Sequence, residues 1–444
     1  MAERYDYKRF LEYLEIMRNP DRARKVTRLD FLNPDESVAF TIGGGGDISR
    51  FSRNGMLTRA FIKSGSLNVS LNNGQRRKLS VTFDNLDSQF DYAVNSLWFG
   101  DKVRLNMGVT LSDGSDFVLP QGTFYFNSPS ATWKPNSKQI TYTLSDKWSY
   151  FDGSLFGNLN GNYLVEQFDD IFAFIKSVLT LSRYDYQTTT DPLKMFDPVT
   201  PVFSNWFYNH HYTIDGIERA WHLAAKRVIG SVGESFAKMF LELNTLLAGT
   251  IGYDAQGILR IEPSASDIDD SYKPTLFRYT PESKTFLGLT ESSRPTDVFN
   301  DIIVIGESLS TEFAGARATN RDPLSDTCVQ RIGLKTFAER NDLYYDDNQC
   351  SALAAYYLKK KTVLQKSITL SSTQMFHFKE NAIIEVARTD KANVPVERHL
   401  ISSYTIPLSN AGEMTINATS VNDFPKATIS TLAQEGFINQ QEEE

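Results

Sequence analysis

The segment QRRKLSVTFDNLD, Gln75 to Asp87, opens a run of alternating strands whose reading decides the fold. In it Leu79, Val81 and Phe83 alternate with Ser80, Thr82 and Asp84. The next segment, LWFGDKVRLNMGV from Leu97 to Val109, repeats the pattern with Val103, Leu105, Met107 and Val109 against Arg104, Asn106 and Gly108. PQGTFYF (Pro120–Phe126) and KQITYTLSDKW (Lys138–Trp148) follow, the latter with Ile140, Tyr142 and Leu144 on one face. A period of two places one face on a core and the other toward solvent or a partner. Asp113-Gly114 supplies the positive φ of a tight hairpin between strands. The run is an antiparallel barrel with no catalytic signature, which points to a scaffold before an enzyme.

A second copy lies near the C-terminus. Lys78-Leu79-Ser80-Val81-Thr82-Phe83 is answered by Gln365-Lys366-Ser367-Ile368-Thr369-Leu370, and WFGDKVRLNM by HFKENAIIEV. Leu400–Ile406 matches the TFYF strand, and Met414–Val421, after Asn410-Ala411-Gly412, matches ITYTLS. The order is the same in both copies, and the identities are few.

A chain of 444 residues suggests two to four domains. Its 30 Phe and 20 Tyr are enough for substantial cores. A net charge of −8 argues against a general nucleic-acid binder, and it suits a channel past which a polyanion slides without sticking. Cys328 and Cys350 are too few for a disulfide framework and read as free thiols of a protein made in a reducing compartment. MAERYDYKRF lacks the apolar core of a signal peptide, and no stretch reaches the length of a membrane span, so the reading is a soluble protein made in cytoplasm.

Along the chain, Glu3–Met17 reads as an amphipathic helix, with Tyr7, Phe10, Leu11, Leu14 and Met17 at helical spacing. Asn19-Pro20 stops it, and the basic run that follows is a solvated linker or a docking arm for another subunit. On the second reading Phe10, Leu11, Leu14 and Met17 are the candidate subunit contacts, because an isolated short helix is marginal until its apolar stripe is buried. The expected organisation is an N-terminal helix and linker (1–25), a first β-barrel (26–150) and an α+β unit with connecting segment (151–295). A second β-barrel with an inserted helix (296–425) and a polar tail (426–444) complete it. Within the α+β unit, Tyr163–Ser182 reads as helical, Ile217–Leu247 as a longer helical region with a break near Gly230–Gly233, IGYDAQGILRIE as a hairpin, and Ser264–Pro295 as irregular. Ile302–Ile305 reads as the first buried strand of the second barrel, and Asp346–Lys361 as its helix, acidic at the start and basic at the end as the helix dipole favours.

The search for chemistry finds little. Gly43–Gly46 is followed by no Gly-Lys-Ser/Thr, so it is a loop and not a phosphate cradle. His210-His211 is the one histidine cluster, and adjacent histidines in an extended loop point opposite ways. No GxSxG elbow, HExxH, CxxC or EF-hand loop is present. Cys350 sits on the apolar face of its helix as a core thiol. No catalytic, cofactor or metal residue is assigned.

Taken in order, QRRKLSVTFDNLD, LWFGDKVRLNMGV, PQGTFYF, KQITYTLSDKW, LAGTIGYDAQGILRIEP, FNDIIVIGES, SALAAYYLKKK and HLISSYTIPLSNAGEMTINATS resemble the baseplate-hub or tail-tip proteins of bacteriophages. They are similar to the hub of contractile tails and to the N-terminal region of tail-associated lysins of siphophages. The resemblance spans Val26 to Val421. It implies an α+β, mainly β fold with two related tube-like antiparallel β-barrel domains and an intervening α+β domain. It implies a homotrimer whose barrels form a pseudo-sixfold ring, matching a hexameric tail tube or distal tail protein above and a threefold spike or tip fibre below. The tape measure protein and phage DNA would pass through its lumen, and the protein would reside in the virion. On this resemblance no further domain is expected after Val421 to carry the hydrolase activity of longer lysins. The alternatives are a hexameric distal tail protein and, from another class, a carbohydrate-binding or cell-wall-hydrolase module using the aromatic loop Asn205–Tyr212.

Overall fold

The computed structural model describes residues 7–431 apart from short gaps and the longer stretches 91–100, 176–201, 204–211, 220–226, 264–274, 307–313 and 389–395. The histidine cluster, most of the Tyr163–Ser182 pattern and the tail beyond Thr431 lie outside the described residues.

Among the described residues thirteen strands form one sheet, and the chain is mainly β with few helices, an α+β protein. The N-terminal half supplies β1 (Lys25–Leu32), β2 (Val38–Gly43), β3 (Ile62–Ser70), β4 (Arg77–Asp84), β5 (Lys102–Thr110), β6 (Asp116–Lys134) and β7 (Ser137–Asp146). The C-terminal half supplies β8 (Thr275–Tyr279), β9 (Phe286–Ser293), β10 (Lys366–Ser372), β11 (Ile383–Val386), β12 (Glu397–Pro407) and β13 (Met414–Ser420). The order across the sheet is β9-β10-β13-β12-β3-β4-β7-β6-β5-β1-β2, with β11 also on β12 and β8 on β11. Leu79, Val81 and Phe83 on β4 and Val103, Leu105, Met107 and Val109 on β5 are buried, as their alternation requires.

The two halves have one topology. The sequence β1-β5-β6-β7-β4-β3 is matched neighbour for neighbour by β8-β11-β12-β13-β10-β9. Register shifts recur at the same places, between Phe126 and Ser128 on β6 and between Ile401 and Ser403 on β12. A second pair falls between Ile62 and Ser64 on β3 and between Phe286 and Gly288 on β9. The bond from Phe126 N–H to Asp101 C=O is answered by the one from Ile401 N–H to Ala382 C=O. Irregularities that interrupt a ladder in one place are specific marks, so their recurrence fixes the residue equivalence. Leu79 corresponds to Ile368 and Val103 to Ile384, two residues away from the match read in the sequence. A two-residue slip keeps every side chain on its own face, which is why the sequence match survived it. The halves differ at one strand: β1 runs antiparallel to β5, whereas β8 runs parallel to β11.

A second apolar core sits beside the sheet. It holds α2 (Phe236–Leu247), the hairpin Gly249–Tyr253 with Leu259–Pro263, and a separate four-stranded sheet. That sheet orders Thr336–Arg340, Asp301–Ile305, Gly315–Asn320 and Ala427–Thr431. The helix α3 (Asp347–Lys361) covers it with Cys350, Leu353, Ala354 and Leu358 buried. Ile302–Ile305 therefore belongs to this layer and not to the second half of the large sheet. Ser264–Pro295, read as irregular, supplies β8 and β9. Within Ile217–Leu247 the described residues form short strands at Ile217–Arg219 and Arg227–Gly230 and a helix from Phe236, while 220–226 lie outside them. Gly230 and Gly233 carry poor helix propensity, and burial of Phe236, Met239, Phe240 and Leu243 sets where the helix begins. Cys328 and Cys350 are buried free thiols.

Candidate interaction site: the junction of the two halves

The halves meet strand to strand. β12 pairs antiparallel with β3 from Ser403–Ser70 to Pro407–Ser66. Bonds from Leu71 N–H to Ser402 C=O and from Leu408 N–H to Gly65 C=O, 2.6 and 2.9 Å, close the two ends. Alternation between them puts the bonded pairs at Tyr404–Val69 and Ile406–Leu67. These four side chains are buried. On the other face Thr405 Oγ1 donates to Asn68 Oδ1 at 2.8 Å. Gly65 has φ of +155°, and a Cβ there would lie 2.1 Å from the Ser80 carbonyl oxygen. Only glycine fits that end of the junction.

A buried ion pair ties the halves again. Arg77 on β4 donates from Nη2 to Glu380 Oε2 at 2.5 Å, and from Nη1 to the Gln121 carbonyl at 3.2 Å. Gln121 Nε2 in turn donates to the Phe376 carbonyl at 2.7 Å, crossing between halves a third time. Burial works to lower the Arg77 pKa, and the Glu380 charge offsets it, holding the guanidinium above its usual range. Asp146 accepts from Arg76 N–H and Arg77 N–H on Oδ2 and from Trp148 N–H on Oδ1, at 2.9, 2.8 and 3.1 Å. Burial nonetheless pushes its pKa up to about 6. Asp146 thus pins the start of β4 to the end of β7.

The helix α1 (Tyr7–Arg18) lies across the junction. Its Tyr13 ring packs on Phe117 of β6 and on His377, with centroids 5.5 and 5.7 Å away. Tyr13 Oη accepts from Phe376 N–H at 3.0 Å and shares a hydrogen bond with His377 Nδ1 at 3.1 Å. Burial lowers the His377 pKa to about 4, so the ring is neutral at neutral pH. Arg9 and Glu12 hold the helix to the β5–β6 hairpin through Ser115 and Ser112. Met17 is buried in the chain's own core, Phe10 and Leu14 are half-buried against it, and Leu11 is 46 % exposed. The helix stripe is thus spent largely inside its own chain.

Beside the junction a cavity of about 670 Å³ is lined by Arg76, Arg77, Arg260, Glu262, His377 and Glu380. Within the wall Arg76 Nη1 is 3.8 Å from Glu380 and 4.0 Å from Glu262, and Arg260 is 2.5 Å from Asp254. Among the described residues no three His, Cys, Asp or Glu side chains gather as metal ligands. The arrangement holds two half-sheets in fixed register; no nucleophile is paired with a base in it.

Arg77 was legible in part. It has the parity of Leu79, Val81 and Phe83, so alternation alone places it on the core face and calls for a buried counter-charge. Glu380 carries no such signal, being 303 residues away.

No protein-family model matches the chain, and no curated protein matches it. Solved structures do. The 43 kDa tail protein of prophage MuSo2 from Shewanella oneidensis superposes with a TM-score of 0.55 at 11% identity, covering 89% of this chain and 98% of that one. The tail protein from Neisseria meningitidis MC58 gives a TM-score of 0.55 at 9% identity, covering 89% of this chain and 96% of that one. The chain has the fold of phage tail proteins and is similar to them over nearly its whole length.

Proposed function

We propose that this chain is a structural hub of a bacteriophage tail tip, three copies of which form a ring with six half-sheet positions. The observation that carries the reading is the β3–β12 junction, where two halves of one topology join through non-identical edges. Such a head-to-tail contact repeats by rotation and closes into a ring when the rotation permits. Two positions per chain let three chains match a sixfold tube on one side and a threefold spike or fibre on the other. Tape measure protein and DNA would pass through the lumen, for which a net charge of −8 is suited. The role is architectural and not enzymatic, and the ring would be part of the virion. Its test is the solution mass by light scattering. The expected result is three times the 50.2 kDa chain. A stable hexamer would favour a distal-tail ring, and a protein that stays monomeric at high concentration would count against the hub.

A further inference from the structure

We propose that the cavity beside the junction is a binding site for a carboxylate ligand with an apolar body, held by one edge of the Arg76 guanidinium. The inference goes beyond the architectural reading and does not depend on the trimer. Arg76 immediately precedes β4, and its side chain is 1 % exposed. Its Nη1 faces Glu380 and Glu262 at 3.8 and 4.0 Å, too far for a hydrogen bond to either. Nε and Nη2 are buried and have no hydrogen-bond partner among the described residues. These two atoms share one edge of the planar fork, where their N–H bonds point the same way. That edge can meet both oxygens of a carboxylate at once. A buried guanidinium with this edge unpaired is costly, and burial pulls its pKa down despite the two neighbouring carboxylates.

No carboxylate among the described wall residues is free to pair with that edge. Glu380 is bonded to Arg77 at 2.5 Å, and Glu262 accepts from Asn381 Nδ2 at 3.1 Å. Asp254 accepts from Gln256 N–H, Ile258 N–H and Arg260 Nε. Four basic side chains, Arg76, Arg77, Arg260 and Lys379, line the cavity against three acidic ones, Asp254, Glu262 and Glu380. The one positive charge left over suits a monoanion, and a phosphate dianion would exceed it. His377 Nε2, buried and unpartnered in the same wall, is a further polar atom open to a ligand. Phe10, Leu119, Leu276 and Phe378 add apolar wall, which suits an acid with a hydrocarbon or aromatic body. Exposed Tyr7, Gln256 and Lys379 mark the mouth, and buried Arg76 and Glu380 mark the base. Gly252 keeps the Arg76 side chain in place, since a Cβ there would lie 2.4 Å from its Nε. The wall is drawn from α1, β6, the Gly249–Pro263 hairpin and residues 376–381, so an occupant would tie both half-sheets to the second core.

The test is titration calorimetry of the full chain with four probes: benzoate, its neutral analogue benzamide, inorganic phosphate, and the peptide acetyl-Phe-Glu-Phe-amide. Benzoate is expected to bind, with benzamide and phosphate at least about tenfold weaker, because one lacks the charge and the other exceeds it. Arg76→Gln should weaken benzoate binding by at least about tenfold as well. Gly252→Ala displaces the guanidinium while keeping its charge, should also weaken binding, and carries the test if Arg76→Gln does not fold. Binding of the peptide without benzoate would assign the carboxylate to a protein side chain, and binding of benzoate without the peptide would assign it to a free acid. Equal binding of benzoate and benzamide, or benzoate binding unchanged in a folded variant, overturns the role of Arg76. Tighter binding of phosphate than of benzoate overturns the carboxylate assignment. Binding of neither benzoate nor the peptide would mean that the Arg76 edge is met by water only, and overturns the site.

Discussion

Replacing Glu380 by alanine is expected to lower the stability of the large sheet by about 3–5 kcal/mol, as removal of one partner from a buried ion pair does. Arg77 and Arg76 are both nearly fully buried, and Glu380 is the closest carboxylate to each. Without it the Arg77 guanidinium keeps neutral partners, the Gln121 carbonyl and the Tyr404 hydroxyl, but loses its bonded counter-charge. The cost of the charge, not of the lost side-chain volume, should dominate. The variant Arg77→Met/Glu380→Leu, which removes both charges, should therefore recover most of the loss. Urea unfolding of the three proteins checks this. Equal losses in the single and double variants would show that the site acts through shape and not through charge.

Tyr13→Ala is expected to cost a similar amount, about 3–5 kcal/mol for a fully buried aromatic ring. Two further bonds go with it, because Phe376 N–H and His377 Nδ1 both end on Tyr13 Oη. Tyr13→Phe keeps the ring packing and leaves the buried Phe376 N–H unpartnered, which costs about 1–3 kcal/mol. The two variants should be distinguishable by hydrogen exchange. In Tyr13→Ala the amides of α1 should exchange much faster, while β3 and β12 stay protected by their own ladder. Loss of protection in β3 and β12 together with α1 would mean that the helix, and not the strand pairing, holds the halves together.

The sheet was legible because β4, β5, β7, β10 and β13 alternate in sequence, and alternation is a local property of the chain. The duplication was legible for the same reason, since a two-residue error in matching costs nothing when the period is two. What was not legible was non-local. Ile302–Ile305 is a buried strand by composition, but nothing in four apolar residues says which of two cores buries it. Gly288 and the exposed residues of β9 weaken its pattern, so a strand that occupies an edge read as an irregular connection. The ion pair was half visible, through the parity of Arg77. Its partner follows a bend before a short strand, where no periodicity marks burial. The helix α1 was recognised as amphipathic, and the stripe proved to have a surface to cover within its own chain. Tyr13, on that same helix, was passed over although its ring is fully buried across the junction.

The central claim is that one chain supplies two equivalent positions to a ring. An electron-microscopy reconstruction of the isolated assembly, viewed along its axis, tests it most directly. The expected image is a ring of six similar sheet units traced by three chains, each chain running through two neighbouring units by way of β12 and β3. Six chains tracing one unit each, or three chains whose second half lies off the ring, would contradict it.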